Sequence, residues 1–170
     1  YMKIFTRLGL GEKTYLTFAS GGVFSKYSHE FQTLSDAGED LIYVDKNKKI
    51  AINKEVYSEE ILTELGLEKN NLIEEKAIEV GNIFSLGKKY SEPLGLKYLD
   101  EEGKQQSVIM GSYGIGPGRV MGAIVEVNCD DKGMIWPKEI APYQIHLISL
   151  AKTIEEKEKT EEIYQKLLSL

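Results

Sequence analysis

Residues 108–119 read Val108-Ile109-Met110-Gly111-Ser112-Tyr113-Gly114-Ile115-Gly116-Pro117-Gly118-Arg119. An apolar strand runs into four glycines, and a proline and an arginine follow. Glycine allows positive φ and close approach of a ligand to the backbone. From Pro117, Val120, Ile124 and Val127 recur at helical spacing, and Met121, Ala123 and Val125 fill most of the remaining circumference. That pattern predicts a helix buried on most sides. Arg119 then stands in its first turn, where a guanidinium reaches a phosphate that also gains from the helix dipole. The same residues equally describe a tightly packed strand–helix corner carrying a surface arginine. Only Arg7 and Arg119 are arginines, and the other basic residues are lysines. Arginine is the side chain built for bidentate phosphate contacts.

The run is not a dinucleotide fingerprint, which needs a βαβ unit with parallel strands, nor a P-loop, because no Gly-Lys-Ser/Thr closes it. The strands before it form antiparallel hairpins. Tyr15–Ala19 alternates and breaks at Ser20-Gly21-Gly22, and His29–Leu34 turns through Asp36–Asp40 into Leu41–Val44. Ser58 is an N-cap signal before a short helix whose apolar face is Ile61, Leu62 and Leu65, stopped by Gly66. Residues 68–76 read as a polar connector and Ala77–Phe84 as a strand. Residues 97–99 and 107–110 flank the turn Asp100–Gly103 as a second hairpin. Beyond Pro142, Ile145–Leu150 is a nearly continuous apolar run, as in a strand covered on both faces. Thr153 and Glu156 have capping-box spacing, and Ile163, Tyr164, Leu167, Leu168 and Leu170 give the following helix an apolar face. A buried strand followed by a helix opens an α/β unit.

A net charge of −6, from 21 basic and 27 acidic residues, argues against sequence-blind nucleic-acid binding, which needs spread positive charge. A local contact remains compatible with it. The single cysteine, Cys129, excludes an intramolecular disulfide framework, and its acidic neighbours make it a poor nucleophile. No apolar run approaches the ~20 residues of a membrane span. His29 and Glu30 are neighbours in a strand and point to opposite faces unless a bulge intervenes. They read either as an inward histidine beside a solvated glutamate or as a polar pocket wall for an amine or carboxylate. His146 sits in an apolar run and reads as structural. The two histidines lie in different domains and make no metal site.

Four blocks in order carry a family resemblance: Ser28-His29-Glu30-Phe31 with Asp36–Asp40, Glu79–Glu92, Val108–Arg119, and Asp131–Pro142. Together they resemble the bacterial-type prolyl-tRNA synthetases, with Val108–Arg119 similar to motif 3. The resemblance implies an α+β class II catalytic domain, an antiparallel sheet flanked by helices, over residues 1–142. Residues 143–170 would open an anticodon-binding domain with the first βα unit of an α/β fold. The implied activity is that of a cytoplasmic proline–tRNA ligase, which forms prolyl-adenylate from proline and ATP with Mg2+ and passes the prolyl group to tRNA(Pro). Arg119 is implied as the catalytic arginine on the ATP phosphates, with Gly114 and Gly116 beside the nucleotide. His29, Glu30, Gly111 and Ser112 are implied at the proline.

Some positions depart from the family pattern. Ser112 stands where many bacterial members have Cys, Asn82 where some have His, and Lys88 where Thr is common. The loop Ser20–Tyr27 also differs. The short span between Asn53 and Ala77 implies no large editing domain there. By the same resemblance, motif 1, which builds the homodimer interface, and the motif 2 arginine fall before Tyr1. The chain is therefore expected to be a piece of a synthetase, inactive alone in aminoacylation. Two other readings are a non-catalytic synthetase-like binding module and another class II synthetase, threonyl or seryl.

Overall fold

The computed structural model describes residues 1–169, which fall into two units, one over Tyr1–Glu139 and one from Ile140 onward. In the first unit, α1 (Met2–Arg7) precedes β1 (Thr14–Ser20), β2 (Tyr27–Leu34), β3 (Asp40–Asp45) and β4 (Ile50–Asn53). Next come α2 (Glu59–Glu64), β5 (Leu72–Gly87), the hairpin β6 (Lys97–Leu99) and β7 (Gln105–Ser107), and then β8 (Met110–Ile115). The unit continues through α3 (Pro117–Val127) to the short hairpin β9 (Cys129–Asp130) and β10 (Gly133–Met134).

Followed from strand to strand, the pairings return to their start. β1 pairs with β2, β2 with the middle of β5, the first part of β5 with β3, β3 with β4, and β4 with β1. β8 is added along the last part of β5. All of these pairs are antiparallel except β1–β4, which is parallel. The α+β class read from sequence holds, with this one parallel contact inside the antiparallel sheet.

Cross-strand partners point to the same side of a sheet, so the register assigns each face. On the inner face of the ring, Tyr15, Ile42, Val44, Ala51 and Ala77 form a buried apolar cluster. Continuing along the same face, Glu30, Gln32, Asp40 and Asn53 are polar, so the interior grades from apolar to polar toward β8. The outer face carries a second cluster, Ile52, Leu62 and Leu67. It exists because α2 folds back onto β4. Ser58 Oγ accepts from Ile61 N at 3.3 Å to start that helix, and Gly66 at φ 61° ends it.

Three expectations change. β5 begins at Leu72, so residues 72–76 are strand and not connector. Their charged side chains stand on a strand whose backbone is satisfied by β3, with Ile42 opposite Glu75 and Val44 opposite Ile73. α3 buries only Val120, Ala123 and Ile124, while Met121 is 57% exposed. It packs on the sheet with one stripe. In the second unit, α4 (Ile154–Leu168) forms with its capping box complete, but residues 145–150 form no strand and His146 is exposed. A lone strand leaves its backbone groups without a ladder, and among the described residues this unit holds no second strand. Leu170, the last position of the predicted apolar face of α4, lies outside the described residues.

Candidate functional site

The motif 3-like segment folds as β8, a one-residue N-cap and α3. Gly116 is the N-cap, Pro117 takes the first helical position, and no side chain caps the helix. Proline's missing N–H costs nothing there. Val120 N donates the first helical hydrogen bond, to Gly116 O at 2.9 Å, so the Gly118 and Arg119 amides are without helical partners. No acidic residue occupies this first turn, which leaves the positive end of the helix dipole uncompensated.

This helix end opens on a cleft of about 390 Å³ lined by Glu79, Val80, Gly81, Asn82, Gly114, Ile115, Gly116 and Arg119. The cleft exists because its floor is glycine. A Cβ on Gly114 would lie 3.0 Å from Asn82 Oδ1, a tight contact that a side chain there relieves only by shifting the Asn82 amide. A bulge in β5 supplies the opposite wall. The register shifts between Phe31 and Gln32, so that Phe31 pairs with Gly81 but Gln32 with Glu79. The extra residue brings Glu79 and Asn82 onto one face, and Asn82 Nδ2 donates to Glu79 Oε1 at 2.9 Å.

Arg119 lines the cleft and donates from Nη1 to Glu39 Oε1, a carboxylate in the β2–β3 loop. Its side chain is 49% exposed. One N–H is engaged and the rest of the fork is available. Glu30 lies on the same face as Asn82 and Gly114, paired in register with Asn82. Its carboxylate accepts from Gln32 Nε2 at 2.9 Å and Asn53 Nδ2 at 3.3 Å. Burial pushes the Glu30 carboxyl above the ordinary range. The Gln32 hydrogen bond opposes this, the charge of Glu79 adds to the rise, and Asn53 and Asp40 contribute smaller effects of opposite sign.

Ser112 pairs with Phe84 in register and shares the face of Asn82 and Gly114, farther along β8 and outside the cleft lining. Gly111 alternates to the other face, where the Tyr113 ring lies within 3.1 Å of where its Cβ would be. His29 is also on the other face. It pairs with Phe18 and Ile83, and its ring lies 5.0 Å from that of Phe18. The bulge falls beyond Phe31 and does not rotate His29 round to Glu30. The structure therefore brings together Arg119, Gly114 and Gly116 in the cleft, sets Glu30 and Ser112 on the same face outside its lining, and separates His29 and Gly111 from them. Glu79 and Asn82 were not singled out as site residues. Three-residue spacing in a strand does not put two side chains on one face unless a bulge intervenes, and nothing local in the sequence marks that bulge.

Comparison with known proteins gives concordant matches. Residues 1–128 match the model of the tRNA synthetase class II core domain (G, H, P, S and T). A proline–tRNA ligase of Anaplasma marginale is 37% identical over 182 residues, an alignment covering 98% of this chain and 42% of that protein. One from Thermodesulfovibrio yellowstonii is 52% identical over 105 residues, covering 59% of this chain and 18% of that protein. Among solved structures, prolyl-tRNA synthetase from Cryptosporidium parvum, complexed with L-proline and AMP, superposes with a TM-score of 0.57 at 18% identity. That match covers 99% of this chain and 28% of the other. The chain thus spans less than half the length of these relatives.

Proposed function

Because the chain belongs to the class II tRNA synthetase core domain family, we propose that its cleft is the motif 3 side of a proline-activating site. The observation that carries this reading is Arg119 beside the uncapped N-terminus of α3, facing a glycine floor. Two kinds of anion-binding group converge there, a guanidinium and free helix amides.

In the proposed reaction, a proline carboxylate oxygen attacks the α-phosphorus of ATP in line. The bond from that phosphorus to the bridging oxygen breaks, and pyrophosphate leaves with the electron pair. Such a displacement asks the protein mainly to position reactants and spread charge. Arg119 and the Gly118 and Arg119 amides offset negative charge on the phosphates, and Gly114 and Gly116 let the nucleotide approach the backbone. Glu30, on the same face, is placed to accept from the amino group of the amino acid, with Ser112 farther along β8. His29, turned to the opposite face, has no part in this arrangement. Glu79 and Asn82 offer hard oxygen donors of the type Mg2+ takes. Among the described residues no group of three His, Cys, Asp or Glu side chains is gathered. Transfer of the prolyl group to tRNA(Pro), a homodimeric whole protein and a cytoplasmic location belong to the same proposal. No helix among the described residues is long and apolar enough to cross a membrane.

Calorimetric titration with a non-hydrolysable prolyl-adenylate analogue tests the assignment against its threonyl and seryl counterparts. The prolyl analogue should bind tightest. Arg119→Ala should weaken it on the order of tenfold or more, the loss of a charge-assisted contact. Equal binding by wild type and variant would remove Arg119 from the site.

A further inference from the structure

Gln32, behind the cleft, is fully buried in the middle of β2, where an apolar side chain is the usual occupant. Its Nε2 donates to two carboxylates at once, Glu30 Oε2 at 2.9 Å and Asp40 Oδ2 at 2.6 Å. Its Oε1 has no partner among the described residues. A buried amide left half satisfied is costly, so simple packing does not explain its presence, because a leucine would fill similar space without that loss. What the amide supplies is a neutral bridge between two acids that would otherwise repel.

One end of the bridge is Glu30, on the cleft face. The other is Asp40, whose chain neighbour Glu39 is the partner of Arg119. The Glu39–Asp40 segment has little freedom. Gly38 N donates to Ser35 O at 2.9 Å, Asp40 sits in register with Ala77, and a Cβ on Gly38 would overlap the Ala77 backbone. An exposed ion pair is weak and mobile by itself. The direction in which Arg119 points therefore depends on how firmly Glu39 is placed, and its neighbour Asp40 is held both by strand pairing and, at its carboxylate, by Gln32.

We propose that Gln32 is a positioning residue, holding Asp40 against Glu30 so that Glu39 keeps Arg119 turned to the cleft for an anionic ligand. The proposal rests on the reading of Arg119 as a phosphate ligand, and the experiment separates the two. In the 15N-labelled 170-residue chain the Nε–H signals of Arg7 and Arg119 are the only arginine ones, and Arg7→Lys assigns them. In the wild type the Arg119 signal should report a restrained side chain. In Gln32→Leu, of similar volume but without the donors, it should become as mobile as in Glu39→Ala. Affinity for inorganic triphosphate should fall about three- to tenfold, the equivalent of one ordinary hydrogen bond. Gln32→Leu combined with Glu39→Ala should bind no more weakly than Glu39→Ala alone, because both act through one link. A purely packing role would change the melting temperature and leave the Arg119 signal unmoved, which overturns the proposal, as does additivity in the double variant. If Gln32→Leu does not fold, Asp40→Ala cuts the same link from its less buried end and must loosen Arg119 equally. Failure of the wild-type chain to bind triphosphate overturns the phosphate reading instead, and the Nε signal still decides the role of Gln32.

Discussion

At the scale of single residues, the polar end of the ring interior is an arrangement of charges more than of shapes. Glu30 and Asp40 share the amide of Gln32, Asn53 adds a second amide to Glu30, Glu79 accepts from Asn82, and Arg119 is answered by Glu39. Because burial raises the Glu30 carboxyl above its unfolded value, the folded state binds its proton more readily than the unfolded chain does. The Glu30 contribution to stability is therefore complete below the ordinary carboxylate pKa and is lost as pH rises through the raised folded value. Glu30→Gln keeps an oxygen to accept from Gln32 and Asn53 but carries no charge. At neutral pH it should melt higher than the wild type, because no charge is held in the buried site. The gain should vanish below about pH 4, where Glu30 is protonated in both states. Thermal melts from pH 3 to 8 read this directly, and a gain that persists at low pH would contradict the assigned cause.

At the scale of elements, local signals were legible and long-range ones were not. Ser58 as an N-cap, the Thr153–Glu156 capping box, and Gly116-Pro117 at the start of α3 are statements about adjacent backbone groups, which a sequence carries whole. The site was legible in the same measure. Arg119 and its glycines announce themselves within one corner of the chain, whereas Glu79 and Asn82 depend on a bulge set by pairing with β2. The first half of β5 was missed because Glu74, Glu75 and Lys76 interrupt any apolar pattern, and only β3 alongside makes them strand. The expected strand at 145–150 failed for the converse reason, since apolar composition without a neighbouring strand leaves the backbone unsatisfied. The β2–β3 loop gives a test at this scale. Gly38 is pressed onto β5 so closely that a methyl group meets the Ala77 backbone, which cannot yield as a flexible side chain can. Gly38→Ala should cost about 1–3 kcal/mol, the range for overpacking, measured by denaturant unfolding. It should also shift the Arg119 resonance, since it displaces Glu39. A change near zero would show that the loop does not rest on β5.

At the scale of the whole molecule, closure of the ring decides where stability resides. β5 is the shared member, for residues 81–83 pair with β2 on one edge and with β8 on the other. Their amides alternate between the two edges. Those directed at β2 are released only when the ring breaks and exchange through global unfolding, whereas those directed at β8 are released when β8 opens. β8, by contrast, is paired along one edge only. Residues 145–150 have no ladder at all, and Tyr143, Ile148 and Leu150 are more than two-thirds exposed. Hydrogen exchange should therefore rank the chain in that order. The β5 amides at 81–83 directed at β2, and their β2 partners, should be slowest, at rates set by the unfolding equilibrium. The β8 residues should be intermediate, and residues 145–150 should exchange fully before the first measured time point. Ring closure also joins residues distant in sequence, β1 to β4 and β2 to β5, and such topologies fold slowly because loop entropy is lost before contacts form. Denaturant added below the unfolding midpoint should accordingly accelerate exchange at β5 and β2 together, as one cooperative unit. If β5 instead exchanges in two steps, with 72–77 released before 78–83, the ring is not a single unit. The β3–β4 side would then open independently of the strands that carry the cleft.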